Sequence, residues 1–388
     1  MSYLIYISKS INFSLFYKYF DDIFNILNKK YKYIENYDDK VDFIIKSKND
    51  LDEKTLEKCK RNITIINCLQ NNHLMMNKKI FLNFKYTPYF FYINFDNMKY
   101  DKKIVKNYIE KYKRDDIFGD KYWILKNTKS GKAIGTMIVR TEELYNLENN
   151  KEFIKERNNF GEKTEYIIQK YLEKPILYNN LKYDLRVYIL ILSSLDNDNN
   201  IYYKFYLFNE ILIKFSTKKY DLKDKNKKTH ITNMHLHGIV NFNDLKNIVT
   251  KDKFDYIYND IFKNVKKFIK FKLFHNLLHK INNYPYVFDI IGLDVLVDEK
   301  YNTYLIDFNI NPGYNITMVN KEELDKIKII HDIHDNLLYT IFIKIIKKYN
   351  KIKKFIDDKN YNNFKNFSKE YKFKKYFKFI TNSKYQVQ

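Results

Sequence analysis

Two strand-like runs, 288–298 and 303–309, predict a β-hairpin that brings two carboxylates together. Both runs are rich in β-branched and aromatic residues and are separated by a short polar turn. A turn centred between them places Asp294 directly opposite Asp307. Asn309 shares the face of Asp307, because side chains alternate along a strand. The chain is therefore predicted to contain a sheet with an acidic cluster on one face.

Directly opposed residues have Cβ atoms only about 4.5–5.5 Å apart, and like charges at that distance destabilise a sheet. A cation between Asp294 and Asp307 would remove the repulsion. Two carboxylates and an amide oxygen suit Mg²⁺, held together with substrate phosphates. The hairpin therefore predicts a metal–nucleotide site. The alternatives are an ordinary hairpin with solvated acids, or a turn displaced by one residue from Lys300-Tyr301, which separates the acids.

A second charged row occurs in the segment 181–190. Alternation places Lys182, Asp184 and Arg186 on one face. The apolar continuation of the segment predicts a central strand, so the row is predicted to line a cleft rather than form a solvated salt-bridge ladder. The segments 201–208 and 210–215 then predict a hairpin with Lys214 near its end.

The segment 123–139 predicts strand, loop and strand. Its loop contains Gly131 and Gly135, two of only seven glycines in the chain. Such a loop can cover phosphates, because glycine lets backbone N–H groups approach anions. The spacing matches neither the usual P-loop nor the dinucleotide fingerprint. The lysine-rich residues 218–228 predict a mobile surface loop, and His235, His237, His275 and His279 are interpreted as polar histidines rather than metal ligands.

Composition limits the class of protein. The hydrophobic fraction of 45% excludes wholesale disorder, and two cysteines are too few for a disulfide scaffold. The net charge of +23 attracts acidic partners, whether nucleic acid, anionic membrane or acidic protein. No signal-peptide pattern or membrane span is visible, so a cytoplasmic protein without a membrane partner is expected.

Several separated motifs together resemble the tubulin–tyrosine ligase-like family, which has an ATP-grasp fold. They are Trp123–Lys126, Gln169–Pro175, Lys182–Arg186, His230–Asn233, Gly292–Asp294 and Leu305–Asn309, in the family's order. The resemblance implies an α/β (α+β) ATP-grasp fold, in which two sheet-containing lobes clasp the nucleotide. The implied divisions are a small N-terminal α/β domain (1–100), a central lobe (101–175), a C-terminal lobe with the metal hairpin (176–349) and a basic aromatic appendage (350–388). The aromatic and lysine-rich composition of the appendage predicts a helical segment that docks by its aromatic side chains.

The resemblance also implies roles for individual residues. ATP phosphates would be contacted by Lys126, Lys182, Asp294 through its metal, the backbone at Gly131, and Lys78 or Lys79. Adenine would be held by Gln169 and largely by the backbone groups of Lys170, Tyr171 and Leu172. Mg²⁺ would be held by Asp294, Asp307 and Asn309. The reaction centre would be lined by Lys182, Asp184, Arg186, Thr232 and Asn233.

The implied activity is an ATP-dependent ligase that joins a free amino acid to a protein carboxylate through an acyl phosphate. Tubulin, or another acidic protein tail, is the expected acceptor, of tyrosine-ligase, glutamylase or glycylase type. The sequence departs from the family at Asn127, Ser130, Ala133, Lys214 and Asp307. The alternative is therefore a weak or inactive ATP-grasp module that binds acidic tails or microtubules. Nucleic acid is not favoured, since no nucleic-acid motif accompanies the charge.

Overall fold

Two β-sheets and the helices packed on them make up the described part of the chain. The structure, a computed structural model, describes residues 3–7, 14–35, 40–46, 51–67, 69, 84–95, 101–112, 118–119, 121–128, 135–158, 164–232, 239–241, 245–246, 249–271, 274, 276, 278, 284–310, 312, 324–353 and 358–384. The predictions for Lys78, Lys79, Gly131, Asn233, His235, His237, His275 and His279 fall on residues outside these ranges.

The strands are β1 (Tyr3–Ile7), β2 (Tyr31–Ile34), β3 (Phe43–Ile45), β4 (Ile65–Asn67), β5 (Phe90–Phe95), β6 (Tyr122–Asn127), β7 (Thr136–Arg140), β8 (Thr164–Lys170), β9 (Leu177–Tyr178), β10 (Leu181–Leu195), β11 (Ile201–Phe208), β12 (Leu212–Lys219), β13 (Ile239–Asn241), β14 (Val287–Val297), β15 (Thr303–Ile310) and β16 (Phe377–Lys384). The helices are α1 (Ser14–Ile26), α2 (Glu53–Asn62), α3 (Lys102–Tyr112), α4 (Thr141–Leu144), α5 (Lys151–Asn158), α6 (Lys227–His230), α7 (Lys251–Ile269), α8 (Leu324–Lys353), α9 (Asp358–Glu370) and α10 (Phe373–Tyr376).

The larger sheet has the strand order β13-β12-β10-β14-β4-β3-β1-β2, and β9, β11, β15 and β16 pair at its flanks. Strands β1 to β4 are parallel to one another, and β4 joins β14 in parallel. The strands around β10 are antiparallel. The predicted mixture of α/β and antiparallel elements is confirmed.

The smaller sheet is antiparallel, with the order β5-β8-β6-β7. Its inner face packs against α3 and α5 through Trp123, Ile109 and Phe153, all fully buried. The predicted strand at Trp123–Lys126 is confirmed as β6. Strand β5 lies in this sheet although it precedes residue 100, and the division of the chain into four domains stays a prediction.

The 15-residue strand β10 carries the charged row near one end and packs under α1 and α8 farther along. Its odd-numbered residues, such as Leu185 and Val187, pack in a core that includes α7. Its even-numbered residues Tyr188 and Leu190 pack in the core under α1 and α8. The charged residues precede Tyr188 on this second face, where Tyr188 already contacts His334 of α8. The charged row of Lys182, Asp184 and Arg186 therefore lies next to the part of β10 that α1 and α8 cover.

Two predictions about this sheet are wrong. Strands β11 and β12 do not form a hairpin with each other, because both pair with β10, one after the other along the same edge. Residues 209–211 separate β11 from β12, and both strands run in the same direction beside β10. The C-terminal segment is also not purely helical, since β16 extends the sheet beside β11. Among the described helices, none has the length and apolar character needed to cross a membrane.

Candidate active site

The hairpin of β14 and β15 places the two acids as predicted. Asp294 pairs with Asp307 in the register of the two strands. Nearer the turn, Val297 pairs with Thr303, so the turn is shorter than predicted, and Ile306 is an extra bulged residue that restores the opposition of the acids. Asn309 Nδ2 lies 3.4 Å from Asp294 Oδ2, which brings the third predicted ligand to the same face.

Arg186 lies beside Asp294 on the neighbouring strand. The two residues are register partners between β10 and β14. Arg186 Nε donates to Asp294 Oδ1 at 2.6 Å, and Nη2 donates to Oδ2 at 3.3 Å. Gly292 makes room for this guanidinium, because a Cβ there would lie 3.1 Å from Arg186 Cδ and 3.0 Å from Pro312 Cβ. A two-point contact of this kind fixes the plane of the guanidinium.

Lys214 completes the charged cluster, although the sequence predicts it only near the end of a hairpin. It lies on β12 opposite Asp184. Its Nζ is 2.8 Å from Asp184 Oδ1 and 3.0 Å from Asp294 Oδ1, so one ammonium neutralises two carboxylates. The available signal was a single lysine within the apolar run Leu212–Phe215, which indicates a buried charge. Asp184 Oδ2 also accepts a hydrogen bond from Thr232 Oγ1.

The buried charges shift each other's protonation. Burial raises the pKa of the Asp184 carboxyl, Lys214 opposes the rise, and Asp294 adds to it. Burial would also raise the pKa of Asp294, but Arg186 and Lys214 hold it well below its usual value. Burial opposes the charged form of Arg186, yet Asp294 raises the pKa of the guanidinium. Asp294 and Arg186 therefore remain an ion pair at neutral pH.

The smaller sheet contributes a second lysine. Lys126, at the end of β6, donates from Nζ to Gln169 Oε1 of β8 at 2.8 Å. Burial lowers the pKa of Lys182 to about 7; Asp184 opposes this, and the nearby Lys126 adds to it. Because the charge of Lys126 lowers the pKa of Lys182, the two sheets place positive charge in the same region. The structure thus brings together two of the predicted phosphate contacts.

The segment predicted to hold adenine is held in place by its side chains. Lys170 Nζ donates to the Gly119 carbonyl at 2.5 Å and lies 4.7 Å from the centre of the Trp123 ring. Leu172 packs in a small buried cluster with Tyr304. The side chain of Lys170 therefore stabilises the fold, and adenine binding by the backbone at 170–172 stays a prediction.

Tyr171 and His230 form a buried contact with Lys182. Lys182 Nζ donates to the Tyr171 hydroxyl at 2.8 Å, and that hydroxyl is 2.8 Å from His230 Nδ1. His230 lies at the end of α6 in the motif His230–Asn233, and it is not among the site residues that the sequence predicts. The position of this motif in the sequence was the available sign that His230 belongs to the site. Its contact with Tyr171 could not be predicted locally, because the two residues are far apart in sequence.

The crossing segment, defined here as residues 220–232, links the two sheets above this cluster. Lys225 pairs with Glu143 and Lys227 with Glu156, both on the helices of the smaller sheet. The Tyr220 hydroxyl donates to the Glu173 carbonyl at 2.8 Å. The lysine-rich stretch predicted as a surface loop therefore has anchored contacts on both sides of the site.

A profile of the tubulin-tyrosine ligase family matches residues 45–348, which include all of the site residues described above. The chain belongs to the tubulin-tyrosine ligase family. The mixed α/β architecture agrees with the ATP-grasp-like fold of this family, and the predicted fold class is confirmed.

Similar members of the family carry names that concern tubulin. "Tubulin glycylase 3C" of Tetrahymena thermophila is 26% identical over 243 residues, which are 58% of this chain and 21% of the relative. "Probable tubulin polyglutamylase TTLL2" of Mus musculus is 24% identical over 295 residues, 72% of this chain and 49% of the relative. The chain spans about half or less of the length of these relatives.

A divalent cation implied by the family has suitable donors in the hairpin. Asp294, Asp307 and Asn309 converge and offer carboxylate and amide oxygens, which suit Mg²⁺ rather than a soft metal. Within the described residues no group of three His, Cys, Asp or Glu side chains forms an alternative metal site. Asp294 Oδ1 accepts short bonds from Arg186 Nε and Lys214 Nζ, whereas Oδ2 has only longer contacts, at 3.3 Å from Arg186 Nη2 and 3.4 Å from Asn309 Nδ2, so Oδ2 is the better placed oxygen for a cation. The residues present fit the ion.

Proposed function

We propose that the protein is an ATP-dependent carboxylate–amine ligase that adds an amino acid to a glutamate-rich tail, with tubulin as the acceptor. Membership of the tubulin-tyrosine ligase family supports this assignment, as do the names of a glycylase and a polyglutamylase among its relatives. The amino acid transferred, and whether one residue or a chain is added, follow from the masses of the modified tails.

One observation carries the proposal: five charged side chains are buried in one cluster where the two sheets meet. Lys182, Asp184, Arg186, Lys214 and Asp294 are each less than a tenth exposed. Removing an ion from water costs several kcal/mol even when it is paired, so such a cluster is a poor way to stabilise a fold. It is well suited to a reaction in which charge moves between phosphate and carbonyl oxygens.

In the proposed reaction a carboxylate oxygen of the acceptor attacks the γ-phosphorus of ATP, and ADP leaves. The resulting acyl phosphate is attacked by the amine nitrogen of the amino acid; phosphate leaves as the amide forms, and the amine gives up a proton. Bound Mg²⁺, held by Asp294, Asp307 and Asn309, would supply positive charge to the phosphate oxygens.

The chain's own residues provide the remaining charge. Lys126 and Lys182 bring ammonium groups from opposite sheets to bind phosphate oxygens. Arg186 is oriented by Asp294 to stabilise an anion that develops beside it. Lys214 keeps Asp184 and Asp294 from repelling each other, so the strands can hold these groups close together.

The net charge of +23 supports an acidic acceptor. A positive field raises the rate at which an acidic tail meets the site, and that effect falls with added salt. Stimulation of turnover by tubulin should therefore weaken steeply between low and physiological ionic strength.

The test is incubation with tubulin, ATP and Mg²⁺ and with labelled glycine, glutamate or tyrosine, followed by mass spectrometry of the tails. We expect one amino acid to be incorporated, incorporation to fall at least about a hundredfold in Asp294→Asn, and no change in Asp198→Asn, an exposed turn residue. Acceptor carboxylates labelled with ¹⁸O should transfer ¹⁸O to phosphate. No incorporation of any amino acid by the wild type contradicts the proposal.

A binding module without turnover is the competing function. The observation that favours it is the internal neutralisation of Asp294 by Arg186 and Lys214. It predicts salt-sensitive microtubule binding that neither ATP nor Asp307→Ala changes. The ligase predicts that Asp307→Ala abolishes incorporation while microtubule binding is retained.

A further inference from the structure

A buried chain of hydrogen bonds leads from the crossing segment to Lys182. His230 Nε2 contacts the Asp224 carbonyl, His230 Nδ1 contacts the Tyr171 hydroxyl at 2.8 Å, and the same hydroxyl contacts Lys182 Nζ at 2.8 Å. Tyr171, His230 and Lys182 are 2%, 3% and 4% exposed. No earlier step of the proposed reaction uses Tyr171 or His230.

The carbonyl at the end of this chain fixes the direction of its three bonds, and the neighbouring Tyr220 hydroxyl donates to the Glu173 carbonyl rather than to Tyr171. A carbonyl oxygen only accepts, so His230 Nε2 must carry the hydrogen. In neutral His230, Nδ1 is then an acceptor, and the Tyr171 hydroxyl donates to it. The oxygen of Tyr171 is left to accept from Lys182, which agrees with the ammonium as its donor.

The direction of these hydrogen bonds indicates that they act as a brace, which means that they hold Lys182 in position and do not transfer a proton from it. An amide carbonyl does not take up a proton at neutral pH, so a proton leaving Lys182 would have no acceptor at the far end of the chain. The contacts instead hold a long side chain in one position. A lysine held in place before its ligand arrives does not lose its rotamer entropy on binding, which strengthens the interaction.

We propose that Tyr171 and His230 are positioning residues that brace the ammonium of Lys182 for a phosphate group of the bound nucleotide. The inference rests on the proposed function, because it needs a nucleotide at this site. The brace also depends on the crossing segment, since the same segment pairs with Glu143 and Glu156 and donates from Thr232 to Asp184. Lys182 is therefore positioned by contacts that involve both sheets.

The groups around His230 keep it neutral. Burial lowers the pKa of His230; the bond to the Asp224 backbone opposes this, Lys182 adds to it, and the Asp224 and Asp221 carboxylates oppose it. Burial raises the pKa of Tyr171 well above its usual value, and Tyr220 and Glu173 raise it further. The direction of the chain is thus preserved throughout the neutral pH range.

The brace can be observed without turnover by NMR of the histidine rings, of which the chain has eight. In the wild type we expect the Nε2–H tautomer at His230 and a pKa below that of a free imidazole. Lys182→Met should raise the pKa of His230, because a positive neighbour is removed. Tyr171→Phe should shift the Nδ1 resonance towards that of an unbonded nitrogen. An Nδ1–H tautomer in the wild type, or no response to either variant, overturns the brace.

Calorimetry then tests what the brace does. Tyr171→Phe keeps the ring but removes the hydroxyl, and should weaken ATP binding by about tenfold. Tyr183→Phe is the matched control: it lies beside Lys182 on β10, faces the opposite core, and its hydroxyl has no hydrogen-bond partner among the described residues. In turnover assays, KM for ATP should rise more than kcat falls.

The outcomes separate the two proposals. Failure of the wild type to bind ATP overturns the proposed function, and with it the ligand assigned to Lys182. ATP binding that is equal in wild type and Tyr171→Phe overturns the positioning role alone. Equal losses in Tyr171→Phe and Tyr183→Phe also overturn it, because they indicate a general packing effect.

Discussion

Replacing Lys214 by methionine should make the stability of the protein depend on pH in a defined way. Lys214 Nζ is 2.8 Å from Asp184 Oδ1 and 3.0 Å from Asp294 Oδ1. In Lys214→Met, Asp294 keeps its two contacts with Arg186 and remains ionised. Asp184 keeps the Thr232 hydroxyl but loses its closest cation, and burial already raises the pKa of this carboxyl.

Protonation limits the size of the effect, because Asp184 can avoid a buried and unpaired charge by taking up a proton on folding. An unfolded aspartate has a pKa of about 3.9, and each pH unit above this value costs about 1.4 kcal/mol. The variant should therefore lose at most about 4 kcal/mol at pH 7 and about 1.5 kcal/mol at pH 5. The folded state then binds more protons than the unfolded state, so relative stability falls as pH rises.

The assay is urea unfolding followed by far-ultraviolet circular dichroism at pH 5, 6 and 7. Lys219→Met, an exposed lysine on the same strand, is the matched control. A loss that stays constant across this range would refute the reasoning, because Asp184 would then remain ionised, with Lys182 as its replacement partner. A loss no larger than that of Lys219→Met would show that the buried pair contributes no stability.

Three further outcomes are expected. Gly292→Ala should cost about 1–3 kcal/mol by thermal unfolding, because the new Cβ would crowd the side chain of Arg186. Asp294→Asn should cost about 3–5 kcal/mol at pH 7 by urea unfolding, since it removes the carboxylate that pairs with the buried guanidinium of Arg186. Because the pKa of Asp294 is depressed, this difference should hold down to about pH 4 and shrink only below it. Ending the chain at Tyr376 removes β16 with its buried Phe377 and Ile380, and should cost about 3–6 kcal/mol and promote aggregation through the exposed edge of β11, measured by light scattering.

The parts of the site that the sequence predicted are those set by local periodicity. Alternation along one strand placed Asp184 and Arg186 on one face, and the symmetry of a hairpin placed Asp294 opposite Asp307. The bulge at Ile306 was not predictable from alternation. The shorter turn and the bulge compensate each other, so the register at Asp294 is correct although the turn is not.

The parts that the sequence did not predict depend on contacts between distant segments. The segments 201–208 and 210–215 predict a hairpin with Lys214 near its end, but β10 is long enough to pair with both β11 and β12. The contact of His230 with Tyr171 needs the two sheets to approach each other, which no local pattern encodes. The position of β16 likewise depends on the open edge that β11 offers.

The position of β14 limits how this protein can be dissected. Over residues 291–297 one of its edges carries β15, and at Val287 and Phe288 the same edge carries β4. Cutting the chain before β5 would uncover main-chain groups only a few residues away from Asp294 and would remove the packing of α1 on α8. A fragment designed around β10, β14 and the smaller sheet should therefore retain the first 67 residues, because β14 pairs with β4 and β4 pairs in turn with β3.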